Sequence, residues 1–409
     1  MRKCKIGEIA DLCLGKMLDR EKNKGKYEPY LANANVQWGR FELDDLPLMR
    51  FEEKEQERYG LKYGDIVMCE GGEPGRCAIW RNEVPNMKIQ KALHRIRVAD
   101  DSVDYRYLYY WFVIAGKQDL LKGNFIETTI KHLTGERLKE IEIELPSFAI
   151  QKKIGVWLET IDAKIESNRK SINVLEAMAK TIYDYWFVQF DFPDANGRPY
   201  KTSGGKMEWN ETLSREIPAG WEVDNLFRIA SYVNGLACQK YRPQGNEESL
   251  PVIKIREMHE GVRTDTERVS ANIPLENVIG DGDILFSWSA TLEIQYWTGG
   301  KGGLNQHIFK VIPSEDFPKE YIYHQLKDYI VNFVKIAEAR KTTMGHITQD
   351  HLKLSRIVIP PYEVLRRFEA RIKPIHKQMV KCNQENRKLT YLRDFLLPML
   401  MNGQVTFRQ

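Results

Sequence analysis

An internal repeat limits what this 409-residue chain can fold into more than any other feature of its sequence. A shift of 342 − 128 = 214 residues places TTMGHITQDHLKLSRIVIPPY, which begins at Thr342, under TTIKHLTGERLKEIEIELPSF, which begins at Thr128. Eight positions of the two stretches are identical, and the same shift pairs Tyr107 with Tyr321. A match of this length in one register predicts two copies of one structural unit.

A long apolar seam follows each copy. The seam after the first copy has steps of four and three residues, and it consists of Ile154, Leu158, Ile161, Ile165, Asn168, Ile172, Leu175, Ala179 and Ile182. The seam after the second copy consists of Phe368, Ile372, Ile375, Met379, Cys382, Asn386, Leu389 and Leu396, and Arg393 interrupts it. Heptad spacing is typical of helices that pair with another helix, and a lone asparagine in such a seam often fixes the register. About 33 helical residues would span roughly 50 Å. The sequence therefore predicts a bracket of two long helices, and the alternative is two unrelated surface helices.

The composition is that of an ordinary soluble protein, with 42% hydrophobic and 29% charged residues. The net charge of +4 permits nucleic acid as a partner without requiring it, because 61 basic residues are nearly matched by 57 acidic ones. The six cysteines are scattered, without a CxxC pair, which indicates reduced thiols of a cytoplasmic protein. No apolar run approaches the ~20 residues of a membrane span, and the polar N-terminus does not resemble a secretion signal.

The predicted fold class is α+β, with two mixed α/β domains related by the repeat and joined by the two long helices. The expected segments are a first domain at 1–146, a central helix at 147–189, a connector at 190–220, a second domain at 221–360 and a C-terminal helix at 361–401. Apolar runs in the first domain predict strands at Asp65–Cys69, Cys77–Trp80, Leu93–Val98 and Ile141–Leu145, and a buried helix at Val103–Lys122. The connector is rich in Pro, Gly, Asn and Ser, which predicts a segment that passes from order to flexibility.

Motifs for catalysis are incomplete throughout the sequence. Ile359-Pro360-Pro361-Tyr362 resembles the [Asn/Asp]-Pro-Pro-Tyr motif of adenine methyltransferases, but isoleucine replaces the essential hydrogen-bonding residue. The glycine cluster Gly299–Gly303 fits neither GxxxxGK[ST] nor GxGxxG, and it is equally consistent with a plain hairpin or with a turn that touches a DNA backbone. Neither His132 nor His346 has a second ligand at metal-binding spacing. The sequence therefore predicts a chain that is not an enzyme.

Polar residues suited to DNA recognition occur in several short segments of both copies. Asn, Gln and Arg pair bidentately with base edges in the major groove, while small hydroxyls and cations suit phosphate contacts, which position a protein without reading sequence. The candidate DNA-binding residues of the first copy are Asn33, Asn35, Gln37, Trp38, Arg40, Arg76, Lys91, His94, Thr128, Thr129 and Lys131. Those of the second copy are Lys301, Asn305, Gln306, His307, Lys341, Thr342 and Thr343. The alternative is that these are polar loops, that Thr129 and Thr343 cap turns, and that His132 and His346 are structural histidines.

Three stretches carry a family resemblance: GDIVMCEGGEPGRCAIW, GDILFSWSATLEIQYWTGGKGGLNQHIFKV and, most specifically, YDYWFVQFDFPDANGRPYKTSGGKMEW. With the repeat, they make nearly the whole chain similar to the specificity subunits of type I restriction–modification systems. The resemblance implies two target-recognition domains that read the halves of a bipartite, gapped site in double-stranded DNA. It also implies that the long helices form an antiparallel coiled coil that sets the gap and contributes to docking of the methylation subunits.

The same resemblance implies a non-catalytic chain with two methylation subunits and two restriction subunits as partners. S-adenosylmethionine, ATP and Mg²⁺ would then belong to those partners, and none of them to this chain. Three alternatives stay open: the specificity subunit of a related type II system, a self-sufficient restriction or modification enzyme, and a coiled-coil interaction protein without a DNA role.

Overall fold

The computed structural model describes residues 2–19, 21, 23–118, 120–127, 131–263, 265–289, 291–339 and 347–405. The chain forms two compact units. The first unit comprises residues 1–164 and 389–409, and the second comprises residues 165–388. The boundary between the units passes through both long helices, so each unit contains one globular part and one end of each helix.

The helices include two that are far longer than the rest. The central helix, Phe148–Tyr183, has 36 residues and continues into one π-helical turn at Asp184–Val188. The C-terminal helix, Tyr362–Met401, has 40 residues. The other α-helices are Ile6–Ile9, Gln56–Tyr59, Tyr105–Lys117, Gly135–Lys139, Leu226–Ile229, Ile255–Glu260, Lys319–Ala339 and Gln349–Leu354.

The globular part of the first unit is built on an antiparallel four-stranded sheet. Its strands, in spatial order, are Ala10–Leu14, Leu93–Val98, Ile66–Cys69 and Cys77–Ile79. A smaller sheet has the order Leu48–Phe51, Lys26–Leu31 and Lys88–Ile89. The paired strands are Arg2–Lys5 with Glu142–Leu145, Val36–Gln37 with Arg40–Phe41, and Ile126–Glu127 with Lys131–His132. The helix Tyr105–Lys117 buries Tyr107, Tyr110 and Phe112 in the core.

The second unit repeats this plan. Its four-stranded sheet has the order Ala230–Asn234, Ile308–Pro313, Ile284–Ser287 and Glu293–Tyr296. Its smaller sheet has the order Arg268–Ser270, Ser249–Ile253, Gly302–Leu304 and Val278–Ile279. The paired strands are Glu222–Asn225 with Arg356–Ile359, and Met207–Asn210 with Arg215–Pro218. The equivalent strand orders confirm the duplication predicted from the sequence.

The correspondence extends to individual hydrogen bonds in the turns that directly precede equivalent strands. Asp65 Oδ2 accepts from the backbone N–H of Lys62 at 2.7 Å, and Asp283 Oδ2 accepts from that of Gly280 at 2.8 Å. Each aspartate also has a basic partner, Arg97 at 2.7 Å or Lys310 at 3.2 Å. The Gly-Asp-Ile sequence therefore marks one structural position in both copies.

The predicted seams face each other within each unit, and the two helices run antiparallel. In the first unit, Leu158 of the central helix shares a core with Leu397 of the C-terminal helix. In the second unit, the ring centroid of Tyr183 lies 6.2 Å from that of Phe368. From the first of these contacts to the second, the residue number rises along the central helix and falls along the C-terminal helix. This order confirms the antiparallel coiled coil.

Several predicted boundaries differ from the observed ones. The helix expected at Val103–Lys122 spans Tyr105–Lys117, because Asp104 caps its N-terminus by accepting from the backbone N–H of Arg106 at 2.9 Å. The strand expected at Asp65–Cys69 begins at Ile66, because the Asp65 side chain closes the preceding turn. The strand at Leu93–Val98 is as predicted.

The connector at 190–220 is folded onto the second unit, although its composition predicted partial flexibility. Phe190 and Phe192 are buried there. The Phe192 ring stacks on Trp221 with centroids 5.0 Å apart and on Tyr200 with centroids 4.6 Å apart. A periodicity analysis misses this packing because the aromatic residues lie in turns rather than on one face of a helix or strand.

Candidate nucleic-acid interface

Three candidate residues of the first unit and Glu73 form one bonded cluster around a Pro-Gly turn. Arg76 Nη2 donates to Asn33 Oδ1 at 2.9 Å, and Asn33 Nδ2 donates to Gly71 O at 2.9 Å. Glu73 accepts from Trp38 Nε1 at 2.7 Å and from Arg76 Nη1 at 3.2 Å. Asn33, Arg76 and Trp38 are therefore held by the protein itself, in a loop whose shape is set before any partner binds.

The remaining candidates of this loop are exposed to different degrees. Asn35 closes its own turn, since its Oδ1 accepts from Ala32 N–H and its Nδ2 donates to Glu42 O, both at 2.9 Å. Gln37 Nε2 donates to Ala34 O at 3.0 Å. Arg40 is exposed, with Glu42 3.1 Å away, and a surface pair of this kind is weak enough to be exchanged for a phosphate or a base.

His94 lies in the interior of the first unit with an exposed fraction of 1%. Its Nε2 lies 2.9 Å from Leu133 O, and burial lowers the pKa of its imidazole. The sequence predicted a DNA contact for His94, but this position is beneath the surface, because its strand turns that face of the sheet toward the core. Lys91 and Lys131, by contrast, are exposed.

In the second unit the candidates surround a turn at residues 305–308. Asn305 is buried, and its Oδ1 accepts from His307 N–H at 3.4 Å, so it shapes the turn. Gln306 is partly exposed, and its Nε2 lies 3.3 Å from His307 Nε2. His307 is exposed, with its ring 5.7 Å from that of Trp288. Lys301 is exposed on the glycine-rich turn.

The remaining candidates lie outside the described residues. These are Thr128, Thr129, Lys341, Thr342 and Thr343. Their contacts with DNA stay predictions, as do those of the candidates that the structure describes.

Segments that are distant in the first copy meet at Glu70 and Gly71, directly after a strand of the main sheet. Glu70 N–H donates to Ala92 O at 2.9 Å, and Leu133 N–H donates to Glu70 O at 2.8 Å. Gly71 accepts from Asn33 Nδ2. The loops that carry Asn33, Arg76, Lys91 and Lys131 therefore converge at one end of this sheet.

The second unit has the same junction at Trp288. Trp288 N–H donates to His307 O at 3.3 Å, and Ile347 N–H donates to Trp288 O at 3.1 Å. We call residues 90–93 the Gln90 turn and residues 305–308 the Asn305 turn. Sequence reasoning did not single out Glu70, Glu73 or Trp288, although the repeat places Glu70 and Trp288 at equivalent positions after equivalent strands.

Among the described residues, no group of three or more His, Cys, Asp or Glu side chains could hold a metal ion. In the second unit, the Nε2 atoms of His324 and His376 are 2.9 Å apart. In the part of the chain that the structure describes, no helix is long and apolar enough to cross a membrane.

Residues 1–177 and 218–385 each match the model of the type I restriction modification DNA specificity domain. The chain belongs to this family. The two matches cover the two globular parts and most of both long helices, so the repeat seen in the structure is the repeat of the family domain.

Relatives of similar length support the assignment. The type I restriction enzyme MjaIX specificity subunit of Methanocaldococcus jannaschii is 25% identical over 352 residues, which cover 84% of this chain and 78% of the relative. The HindI specificity subunit of Haemophilus influenzae is 24% identical over 406 residues, covering 86% and 88% respectively. The crystal structure of the S subunit of a type I restriction–modification system from M. genitalium aligns with a TM-score of 0.56, at 16% identity, over 98% of this chain and 95% of that one. This structural likeness shows a common fold.

Proposed function

We propose that this chain is the DNA specificity subunit of a type I restriction–modification complex and that each unit reads one half of a bipartite, gapped site in double-stranded DNA. The observation that carries the proposal is the duplicated family domain, with polar loops converging at the same end of the same sheet in both copies. Two copies with different side chains at that end suit two different half-sites.

The partners that this function requires carry the chemistry. Two methylation subunits and two restriction subunits would bind this chain, and they would bring S-adenosylmethionine, ATP and Mg²⁺. The chain itself would be a cytoplasmic, non-catalytic subunit. Methyl transfer to an adenine requires the base to leave the stack, and in this proposal the methylation subunit performs that step.

The long helices suit two further roles, as a spacer and as a docking surface. The central helix alone would be roughly 54 Å long at about 1.5 Å per residue, more than the ~34–36 Å of one DNA turn. The C-terminal helix exposes Tyr391 (71%) and Phe395 (52%), whose rings stack with centroids 6.1 Å apart. Exposed apolar surface of this kind marks protein–protein contacts, and we propose that a methylation subunit covers it.

The charge balance sets how this chain binds DNA. Counterion release scales with the number of phosphates that a protein neutralises, and 61 basic residues are offset by 57 acidic ones. The isolated chain should therefore bind DNA weakly at physiological salt, and tight binding should need the methylation subunits. Nanomolar, sequence-specific binding by the isolated chain would contradict this part of the proposal.

Single-molecule sequencing of DNA from cells that express the chain with its methylation subunit tests the function directly. The expected result is N6-methyladenine at one bipartite motif with a fixed gap. The control is the same strain with the methylation subunit alone, which should give no such motif. Absence of a new motif from cells that contain the assembled complex would overturn the proposal.

A further inference from the structure

The Gln90 turn is fixed by backbone hydrogen bonds to its surroundings and within itself. Six bonds of 2.8–3.1 Å hold the turn and Ile89, the residue before it: Gly15 N–H to Leu93 O, Lys16 N–H to Ile89 O, Glu70 N–H to Ala92 O, Gln90 N–H to Leu31 O, Lys91 N–H to Lys16 O, and Leu93 N–H to Gln90 O. With so many of its backbone groups paired, the turn has a set conformation.

The Asn305 turn and Leu304, the residue before it, have the equivalent six bonds. They measure 2.8–3.3 Å and are Gly235 N–H to Ile308 O, Leu236 N–H to Leu304 O, Trp288 N–H to His307 O, Asn305 N–H to Ile253 O, Gln306 N–H to Leu236 O, and Ile308 N–H to Asn305 O. The two turns therefore share one backbone frame, bond for bond.

A glycine in each unit allows the backbone of the neighbouring segment to approach the turn closely. A Cβ atom at Gly15 would lie 2.3 Å from Gln90 O, and one at Gly235 would lie 2.1 Å from Asn305 O. Both distances are far below van der Waals contact, so a larger residue would push the turn away from the strand. The requirement for glycine at both positions indicates that the turn packs equally close to the glycine backbone in each copy.

The side chains on the shared frame differ. Its second position carries Lys91 in the first unit, where it is exposed, and Gln306 in the second, where it is partly exposed. Its third position carries Ala92 or the exposed His307. A frame that is kept while its side chains change is what two domains need when they read different sequences from the same scaffold position.

We propose that these turns are specificity-determining elements, in which Gln306 reads a base of one half-site and Lys91 reads a base of the other. Lysine donates to guanine O6 and N7, whereas glutamine pairs bidentately with adenine N6 and N7. This inference rests on the proposed function and adds to it the residues that distinguish the two half-sites.

The position of the turns supports base contacts rather than a general surface role. The Gln90 turn adjoins Glu70, where the loops of Asn33 and Arg76 converge. Those two side chains are bonded to the protein, so they shape the surface and leave Lys91 projecting from it. An exchange of lysine and glutamine at this position changes which base edge the side chain can pair with. It also changes the charge by one, and the control substitutions below reproduce that change.

Reciprocal single substitutions in the full chain test this inference. Gln306→Lys and Lys91→Gln are each expressed with the methylation subunit, and the methylated motif is determined by single-molecule sequencing. Each variant should change base preference in one half-site by about tenfold at one or two positions, the scale of a lost bidentate contact. The other half-site and the gap length should stay the same.

Two controls make the same chemical changes at other exposed positions. Gln189→Lys lies beyond the central helix, and Lys153→Gln lies near its start. Both should leave the motif unchanged. A wild-type complex that methylates a bipartite motif, together with turn variants that methylate the identical motif, would overturn this inference while leaving the proposed function intact.

If a turn variant loses methylation, the purified complex with the methylation subunit is assayed by selection from a randomised duplex library. Altered base preference in one half-site supports the inference. Weaker binding with wild-type preference at every position overturns it, because it would mean that the turn contacts only the backbone. A wild-type complex without a bipartite motif would instead overturn the proposed function itself.

Discussion

Arg393 Nη1 lies 2.7 Å from Asp162 Oδ1, across the two long helices within the first unit. Asp162 Oδ2 also accepts from the Tyr110 hydroxyl at 2.7 Å, so one carboxylate joins both long helices to the helix Tyr105–Lys117. In the sequence, Arg393 is the residue that breaks the apolar seam. The structure explains the break, because the arginine meets a partly buried carboxylate instead of an aliphatic side chain.

Asp162→Ala should lower the free energy of unfolding by about 2–4 kcal/mol, because it leaves a partly buried guanidinium and a buried hydroxyl without their shared acceptor. Urea or thermal denaturation measures the loss. Glu166→Ala is the matched control on the same helix, since Glu166 pairs with Arg169 at 3.9 Å on the exposed surface, and it should cost less than about 0.5 kcal/mol. Equal losses for the two variants would contradict the role assigned to Asp162.

Asn168 should fix the register of the helix pair in the second unit. Its Nδ2 donates to Asn386 Oδ1 at 2.9 Å and to Glu385 Oε2 at 2.8 Å, and its exposed fraction is 4%. Asn168→Ala should destabilise by about 1–3 kcal/mol, because it leaves polar groups unsatisfied. The double variant Asn168→Leu with Asn386→Leu should recover this loss but relax the register. Denaturation measures the first effect, and a mixture of gap lengths in the methylated motif would report the second.

Trp221 should anchor the connector to the second unit. It is 9% exposed, and its ring lies within 6.2 Å of the rings of Phe187, Phe190 and Phe192, measured between centroids. Trp221→Ala should cost about 3–5 kcal/mol of unfolding free energy. Trp209→Ala is the control in the nearby hairpin, where the side chain is 60% exposed, and it should cost far less. A connector that is only a tether would make both substitutions neutral.

Tyr391 and Phe395 should contribute to docking of a methylation subunit. The double variant Tyr391→Ser with Phe395→Ser removes exposed apolar surface, so the chain should keep its melting temperature. Its affinity for the methylation subunit should fall by about tenfold or more, as for truncation of aromatic anchors. Titration calorimetry or co-purification measures the change. The control is Leu354→Ser, which alters a side chain that is 72% exposed in the second unit, and it should leave the affinity for the methylation subunit unchanged. If this control lost as much affinity as the double variant, the role assigned to Tyr391 and Phe395 would be contradicted.

The elements that follow from local pattern could be predicted from the sequence, and those that depend on tertiary contacts could not. The seams with Asn168 and Asn386 follow from heptad spacing, and the strand at Leu93–Val98 follows from its apolar run and flanking turn signals. The packing of Trp221 was missed because ring contacts between turns leave no periodic signal. The burial of His94 was missed for a different reason: the polarity of a side chain does not reveal which face of a strand it occupies.

The repeat also places two different side-chain pairs at equivalent positions. Adding 214 to Tyr110 and to Asp162 gives His324 and His376. His324 Nε2 and His376 Nε2 are 2.9 Å apart, and His376 Nδ1 is 2.9 Å from the Tyr296 hydroxyl. Burial is the main cause that lowers the pKa of His324 to about 2, and repulsion from His376, Lys327 and Lys180 adds to it. Burial, together with repulsion from Lys319 and Lys327, lowers the pKa of His376 to about 3.

The second unit should therefore lose stability in acid. Each folded-state pKa lies below the unfolded value of about 6.5, so the unfolded chain binds more protons as the pH falls. The contribution of the pair is complete above about pH 6.5, and it decreases toward pH 3 by up to about 1.4 kcal/mol per pH unit for each histidine. The double variant His324→Tyr with His376→Asp reproduces the pair of the first unit, and it should reduce the slope of unfolding free energy between pH 5 and 6.5, measured by urea denaturation at each pH. His307→Asn, at an exposed position, should leave the slope as it is. An unchanged slope in the double variant would mean that other groups govern the acid sensitivity.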